Sequence, residues 1–356
     1  MRAPDKHRFL NAAQHIEQSE IPYFEIETDT ALVQRMLGRN LDMRLHSFEL
    51  PVDDVMALHR LLGTDMVYFS HVWHLGRKEW ADAEGRLHYA GGRIKTRGDL
   101  PGITYPDLGA LRRRLDRLCA LAEREGFGVV YGTQTAGHTA NTAIGYEDFC
   151  VNAIDDPGFI LELQKHVQDY AMRELEAFLE FPIDVVKVGI GLVTNSGPML
   201  SPAMMETFEF DHLRQLIRRA KDAGCMVLMH VDGVVASLLP MFIEMGVDVL
   251  HPIDPSAGRQ SIYEIKRLYG DKLALCGNID VDGVLYKGTP EDVKRDVHEH
   301  ITRLATGGGY IVGSSHDLHQ LLPLENIYAL RDAVHEYRFD GRAGKASHRG
   351  SPESSR

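Results

Sequence analysis

Eight short apolar or β-branched runs punctuate the chain, each followed by a longer segment with helical periodicity. That alternation leaves few folds open, because it is the mark of parallel βα units. The runs are IPYFEIE (21–27), DMVYFSH (65–71), FGVVYGTQ (127–134), VVKVGIG (185–191), CMVLMHVDG (225–233), VDVLHPID (247–254), KLALCGNID (272–280) and GGYIVGSSH (308–316). Helix signals lie between them: SPAMMETFEFDHLRQLIRRAKDAG puts Ser201 at an N-cap, Pro202 in the first turn and Gly224 past the end. Parallel strands in this number, with intervening helices, make a single distorted (β/α)8 TIM barrel of the α/β class. The 356 residues exceed the roughly 250 such a barrel needs. The surplus is read as an N-terminal helix and an insertion between the second and third runs. There WADAEGRLHYAGGRIKTRG has the pattern of a hairpin turning at Glu84-Gly85 and covering the barrel mouth. The barrel domain is expected over 1–340, with the polar stretch 341–356 as a disordered tail. A doubly wound sheet would need a Gly-rich loop after the first run, where TDTALVQRMLG stands instead, and GGG at 307–309 precedes a run rather than following one.

Composition narrows the function classes. With 51 acidic against 39 basic residues the formal net charge is −12, which disfavours a nucleic-acid partner. The densest basic run, Arg112, Arg113, Arg114 and Arg117, alternates with leucines at helical spacing and reads as the wet face of an amphipathic helix. No stretch has the length of uncharged apolar sequence that a membrane span needs, and MRAPDKHRFLNAAQ carries charges where a secretory core would sit, so a cytoplasmic location is expected. Cys119, Cys150, Cys225 and Cys276 are scattered without a CxxC pair, which is neither a disulfide framework nor a thiolate zinc site.

Barrel enzymes carry their reactive groups at the C-terminal ends of the strands, and here those ends are unusually polar. The second run ends in Ser70 and His71, with His74 and Arg77 beyond. The fifth ends in His230 and Asp232, the sixth in His251 and Asp254, the seventh in Cys276, Asn278 and Asp280, and the eighth in Ser314, Ser315, His316 and Asp317. In MHVDG, residues i and i+2 project to one face, so His230 and Asp232 converge. With His316 as a third donor they suit a divalent cation, zinc first, leaving positions open for water or substrate. The alternative is a hydrogen-bonded His–Asp pair without metal. His71 shares a face with Val67 and Phe69 and is expected to emerge at the mouth as a general acid or base. His251, Cys276 and Arg77 are candidate substrate contacts and Asn278 a catalytic positioning group; Arg93, Arg97 and Arg259 stand in expected mouth loops, where they could grip carboxylates.

The stretches GPMLSPAMMETF, MHVDGVVASLLPMFIEMGVDVLHPIDP, IKRLYGDKLALCGNID, the GTPEDV run and GGGYIVGSSHDLHQLLPLENIYAL, together with the opening HRFLNAAQHIEQSEIPYFEIE, resemble the uroporphyrinogen decarboxylase superfamily. The resemblance covers nearly the whole chain, most strongly from about residue 185 onward, and implies one distorted (β/α)8 barrel. It also implies where this sequence departs. Uroporphyrinogen decarboxylases carry an arginine-rich MRQAGR-like segment after the first strand, where this chain has TDTALVQRMLG. They place an aspartate after the second strand, in a phrase like FSD; here FSH puts His71 there. The thiol methyltransferases of the superfamily hold zinc with a His-x-Cys pair and a later cysteine; here the histidine is His230, Asp232 replaces the first cysteine, and the second falls near Ser315 or His316. The harder donors keep the metal expectation at the same place. Paired acids common after the fourth strand are replaced by Ile190 and Gly191.

The expected function is therefore a metal-dependent methyltransferase-like enzyme that moves a methyl group between a corrinoid or other methylated donor and a small nucleophile. Any corrinoid would ride on a separate carrier protein, and the resemblance implies a symmetric homodimer. Two alternatives stay open: a lyase decarboxylating a carboxylate other than uroporphyrinogen, and a non-catalytic corrinoid- or tetrapyrrole-binding protein.

Overall fold

The computed structural model describes residues 1–257 and 260–339. The chain opens with α1 (Lys6–Ala13), capped by the Asp5 carboxylate, which accepts from His7 N at 2.9 Å. Helices α2 (Thr30–Leu37) and α3 (Val52–Leu62) precede β1 (Met66–Phe69), and β2 (Arg77–Ala81) pairs antiparallel with β3 (Leu87–Gly92). Then come α4 (Leu108–Glu125), β4 (Gly128–Gly132), α5 (Ala136–Ile144), α6 (Tyr146–Asp155), α7 (Pro157–Phe178) and β5 (Val185–Gly189). A two-residue ladder, β6 (Val193–Thr194) with β7 (Gly197–Pro198), leads into α8 (Pro202–Met205). That helix passes through a π-helical turn at Glu206–Phe210 into α9 (Asp211–Asp222). The rest alternates: β8 (Met226–Val231), α10 (Leu239–Met245), β9 (Val249–Pro252), α11 (Ile262–Tyr269), β10 (Ala274–Cys276), α12 (Pro290–Leu304), β11 (Tyr310–Ile311) and α13 (Leu324–Glu336).

Seven strands form one parallel sheet in the order β1-β4-β5-β8-β9-β10-β11. The sheet curls, because residues beside both of its edge strands hydrogen-bond to the same segment. Phe24 N donates to Val312 O and Val312 N to Pro22 O, both at 3.0 Å, while on the other side Asp65 N donates to Tyr23 O at 3.0 Å. The run 21–27 therefore contributes a bridge at Tyr23, with a second at Thr28 just beyond it, rather than a full strand. Pro22 has no N–H to give to a ladder, and the Glu25 carboxylate is taken up by Ser314 N at 3.0 Å.

The strands are buried on both faces, as parallel strands under helices are. One apolar cluster, lining the inside of the curl, takes Met66 and Tyr68 from β1, Val130 from β4, Val185 from β5, Leu228 from β8, Val249 from β9 and Ile311 from β11, with Phe9 of α1 at its foot. Alternate residues such as Val67, Phe69, Val129, Val186, Met229 and Leu250 pack outward with the helices. The inner row turns polar as it climbs to the C-terminal ends. The register aligns Gly189 with His230 and His230 with His251.

Candidate active site at the mouth of the curled sheet

His230 and His251 project from neighbouring strands at the same height, and their Nδ1 atoms lie 2.9 Å apart. One of the two must donate and the other accept. Burial, helped by the nearby Lys187 ammonium, holds the His230 imidazole well below its ordinary pKa and takes His251 down to about 3, so both rings are neutral. If His230 Nδ1–H is the donor, its Nε2 carries a free lone pair; in the opposite tautomer Nε2–H points at Asp232. Asp232 Oδ2 stands 3.6 Å from His230 Nε2 and 3.8 Å from His316 Nε2, so the carboxylate lies between two imidazoles. Its other oxygen, Oδ1, is buried without a hydrogen-bond partner. Burial raises the Asp232 pKa against the pull of His316 and Lys187. Burial also pushes Asp317 up to about 7, with the Glu27 charge adding to it. At His316 burial lowers the pKa, but Asp317, Asp232 and Asp254 outweigh it and the net shift is upward.

These groups line hollows at the mouth, of which three matter here. The inner one, about 290 Å³, is lined by Lys187, His138, His230, Asp232, Tyr146 and the turn after β4. A second, about 410 Å³, runs past His316 and Asp317 to Glu27 and Asp254. The third, about 530 Å³, continues from Glu27 and Asp29 under the β2–β3 hairpin, whose Arg77, Glu79, Arg86 and His88 face it. Between β2 and β3 the chain turns with Asp82 N donating to Arg86 O at 3.0 Å and Gly85 at φ +88°.

Residues 133–337 match the family model described as uroporphyrinogen decarboxylase (URO-D). The chain belongs to the uroporphyrinogen decarboxylase family. A relative named uroporphyrinogen decarboxylase, from Neisseria gonorrhoeae, is 26% identical over 179 residues, 49% of each chain. A methylated-thiol–coenzyme M methyltransferase of Methanosarcina mazei is 29% identical over 119 residues, 33% of this chain and 30% of that one. The chain thus spans about half the length of the first of these curated relatives and less of the second. Among solved structures, a methyltransferase from Methanosarcina mazei superposes with a TM-score of 0.73 over 93% of this chain and 98% of that chain, at 18% identity, which shows a common fold.

Within this family member the residues expected from sequence divide sharply. His230, Asp232, His316 and His251 come together, and Arg77 reaches the mouth, where its Nε lies 3.4 Å from Glu79 Oε1. Among the described residues, no three His, Cys, Asp or Glu side chains are gathered closely enough to hold a metal as they stand. His71 faces the other way. It is 5% exposed, its Nε2 accepts from Trp73 Nε1 at 2.8 Å and lies 3.0 Å from Glu174 Oε2 of α7, and Trp73 packs edge-on to Tyr170. The face shared with Val67 and Phe69 is the helix-facing one, so Ser70 rather than His71 lines the inner hollow. Cys276 is fully buried on the inner face below the mouth, where burial raises its thiol pKa. The Asn278 amide is spent on structure, donating to Ile253 O and meeting His300 Nε2 of α12 at 3.1 Å. Arg97 is exposed and grips Asp156 and Glu162 on the outer surface, and Arg93 is exposed beyond the hairpin. Arg259 and the tail 341–356 lie outside the described residues. Sequence reasoning passed over Lys187 and His138; a lysine inside the apolar run VVKVG was the available signal.

No helix among the described residues is long and apolar enough to cross a membrane.

Proposed function

We propose that this protein is a methyl-transfer enzyme whose reaction takes place at the mouth, beside a divalent metal held by His230, Asp232 and His316. In this reading segment 22–24 completes an eight-staved barrel and the β2–β3 hairpin covers its open end. The observation that carries the reading is Asp232, placed between two imidazole Nε2 atoms with its second oxygen buried and unpartnered. A buried lone pair without a donor is costly, and a cation is the partner that would serve all three side chains at once. The donors fit in type: a neutral imidazole, a carboxylate and a second imidazole suit zinc. The two spacings about Asp232, 3.6 and 3.8 Å, are wider than the roughly 3.4 Å between ligands of a tetrahedral zinc, so the three side chains would have to draw together on binding it. His251 would orient His230 through the Nδ1 contact, the role a neighbour of a metal-bound histidine usually has.

A bound zinc supplies Lewis acidity, holding a small nucleophile in its deprotonated form at neutral pH. The protein's own groups do the rest. The hairpin restricts water above the reacting centre. The methyl donor would be a small methylated compound or a corrinoid on a separate carrier protein. The likeness to the methylated-thiol methyltransferase supports this reading. Decarboxylation of a small acid is the second reading, favoured by the relatives named as decarboxylases. Elemental mass spectrometry of protein purified without added metal tests the proposal. About one zinc per chain is expected, lost in His230→Ala and in Asp232→Ala. Metal-free wild type after reconstitution, with carbon dioxide release that survives chelation, would overturn it in favour of the lyase.

A further inference from the structure

Among the described residues, Lys187 is the one Lys or Arg that lines the inner hollow. It lies in the middle of β5, on the inward row with Val185, in a strand otherwise made of Val and Gly. Among the described residues its ammonium has no ion-pair partner within 4.0 Å. The neighbouring His138 imidazole does not share its charge, since burial takes that ring down to about 4. The nearest carboxylate lining the hollow, Asp232, is engaged between His230 and His316. The residues that follow β5, Ile190 and Gly191, bring no acid.

The backbone around the ammonium is cut back. A Cβ on Gly189 would stand 3.1 Å from the His230 carbonyl oxygen and 3.7 Å from Lys187 Nζ, so glycine keeps a side chain from crowding the ammonium there. A Cβ on Gly191 would overlap the His138 ring. A confined cation with an open approach and no ion pair of its own, which Asp317, Asp232 and Glu27 reach only at longer range, is an expensive arrangement unless a ligand adds negative charge. The other polar groups at hand, the N–H of neutral His138 and the Tyr146 hydroxyl, are donors suited to the same anion.

We propose that Lys187, with His138 and Tyr146 beside it, is an anion subsite that receives the carboxylate of a small acidic substrate and points its far end at Asp232 and His230. The hollow of about 290 Å³ is at the low end for ligand pockets, which selects a short-chain acid over a macrocycle. This deepens the proposed function in that it takes the same mouth as the substrate site. It does not require the metal.

The test is calorimetric titration of the full chain with two matched pairs: butyrate against butyramide, and 3-mercaptopropionate against 3-mercaptopropionamide. Each acid is expected to bind about 10-fold or more tightly than its amide, as a charge-assisted contact allows. That ratio should fall to near one in Lys187→Met and be largely restored in Lys187→Arg. In unaltered protein, butyrate but not butyramide should slow acetylation of Lys187, read by peptide mass spectrometry, a measurement that does not depend on a variant folding. The absence of an acid preference in wild type, its survival in Lys187→Met, or binding confined to the two thiol compounds would overturn the subsite. If butyrate is preferred while no metal is found, the methyl-transfer reading fails and the subsite stands.

Discussion

His71 shows how far a single residue can be read from its spacing. Alternation correctly puts it with Val67 and Phe69, but every residue of β1 is buried, so neither face announces itself as the inside. Only packing against α7 decides, and it sends the imidazole to Glu174 and Trp73. Lys187 is the converse case, a charge in an apolar strand whose inward direction follows from Val185 two residues earlier. Histidine and aspartate at strand ends were legible as a group because ionisable residues are rare at such positions without cause. A structural role for His71 has a measurable consequence. His71→Ala leaves the Trp73 indole N–H, 3% exposed, without its acceptor and Glu174 without its neighbour. The expected loss is about 1–3 kcal/mol in urea unfolding, with the affinity for butyrate unchanged. A large drop in ligand affinity at constant stability would instead restore His71 to the mouth.

At the scale of elements, seven of the eight runs become strands inside their expected limits, and the helix starting at Ser201 is capped as read, with Ser201 Oγ accepting from Met204 N at 3.3 Å. Sequence periodicity did not reveal that this helix changes pitch at Glu206–Phe210. A π turn adds a residue without altering composition, and here its effect is to bury Glu209 against α5, where Gly137 has no side chain to collide with the carboxylate. The basic face of α4 is likewise only partly wet. Arg113 and Arg117 are exposed, but Arg114 folds inward over the Phe69 ring and donates to Leu50 O at 3.1 Å, and burial takes its pKa down to about 10. Glu209 provides a pH test of the π turn. Both carboxylate oxygens lack partners, and burial raises the pKa from 4.5 to about 8. The folded state therefore binds the proton more tightly than the unfolded chain. Stability from this group is complete below the unfolded value and is lost as pH rises through the folded one. Glu209→Gln should leave Tm almost unchanged at pH 4 and raise it by about 2 °C or more at pH 9, relative to wild type. A parallel fall of both proteins with pH would show that Glu209 is solvated.

The whole molecule is held shut at its foot by Asp65, the residue just before β1. Its Oδ1 accepts from Arg8 Nη2 of α1 at 2.6 Å and from Asp5 N at 3.1 Å, while Oδ2 accepts from Tyr23 N at 3.3 Å and lies 3.6 Å from Arg2. One side chain thus joins the N-terminal helix, the closing segment and the first strand of the curled sheet. In sequence Asp65 was merely the polar edge of an apolar run, since the partners of such a residue lie dozens of positions away. Burial outweighs both arginines and keeps the Asp65 pKa above its ordinary value. The pair is therefore a poor source of net stability but a dangerous one to break, because either partner alone is a charge stranded in a dry site. Asp65→Leu should cost about 3–5 kcal/mol in urea unfolding. Adding Arg8→Met should return much of that loss, although the bond to Tyr23 N stays broken and Arg2 keeps its charge. The double variant should also keep its mouth, so its preference for butyrate over butyramide should match wild type. If that preference disappears while stability returns, the foot sets the geometry of the site above it, and the curl transmits strain from one end of the sheet to the other.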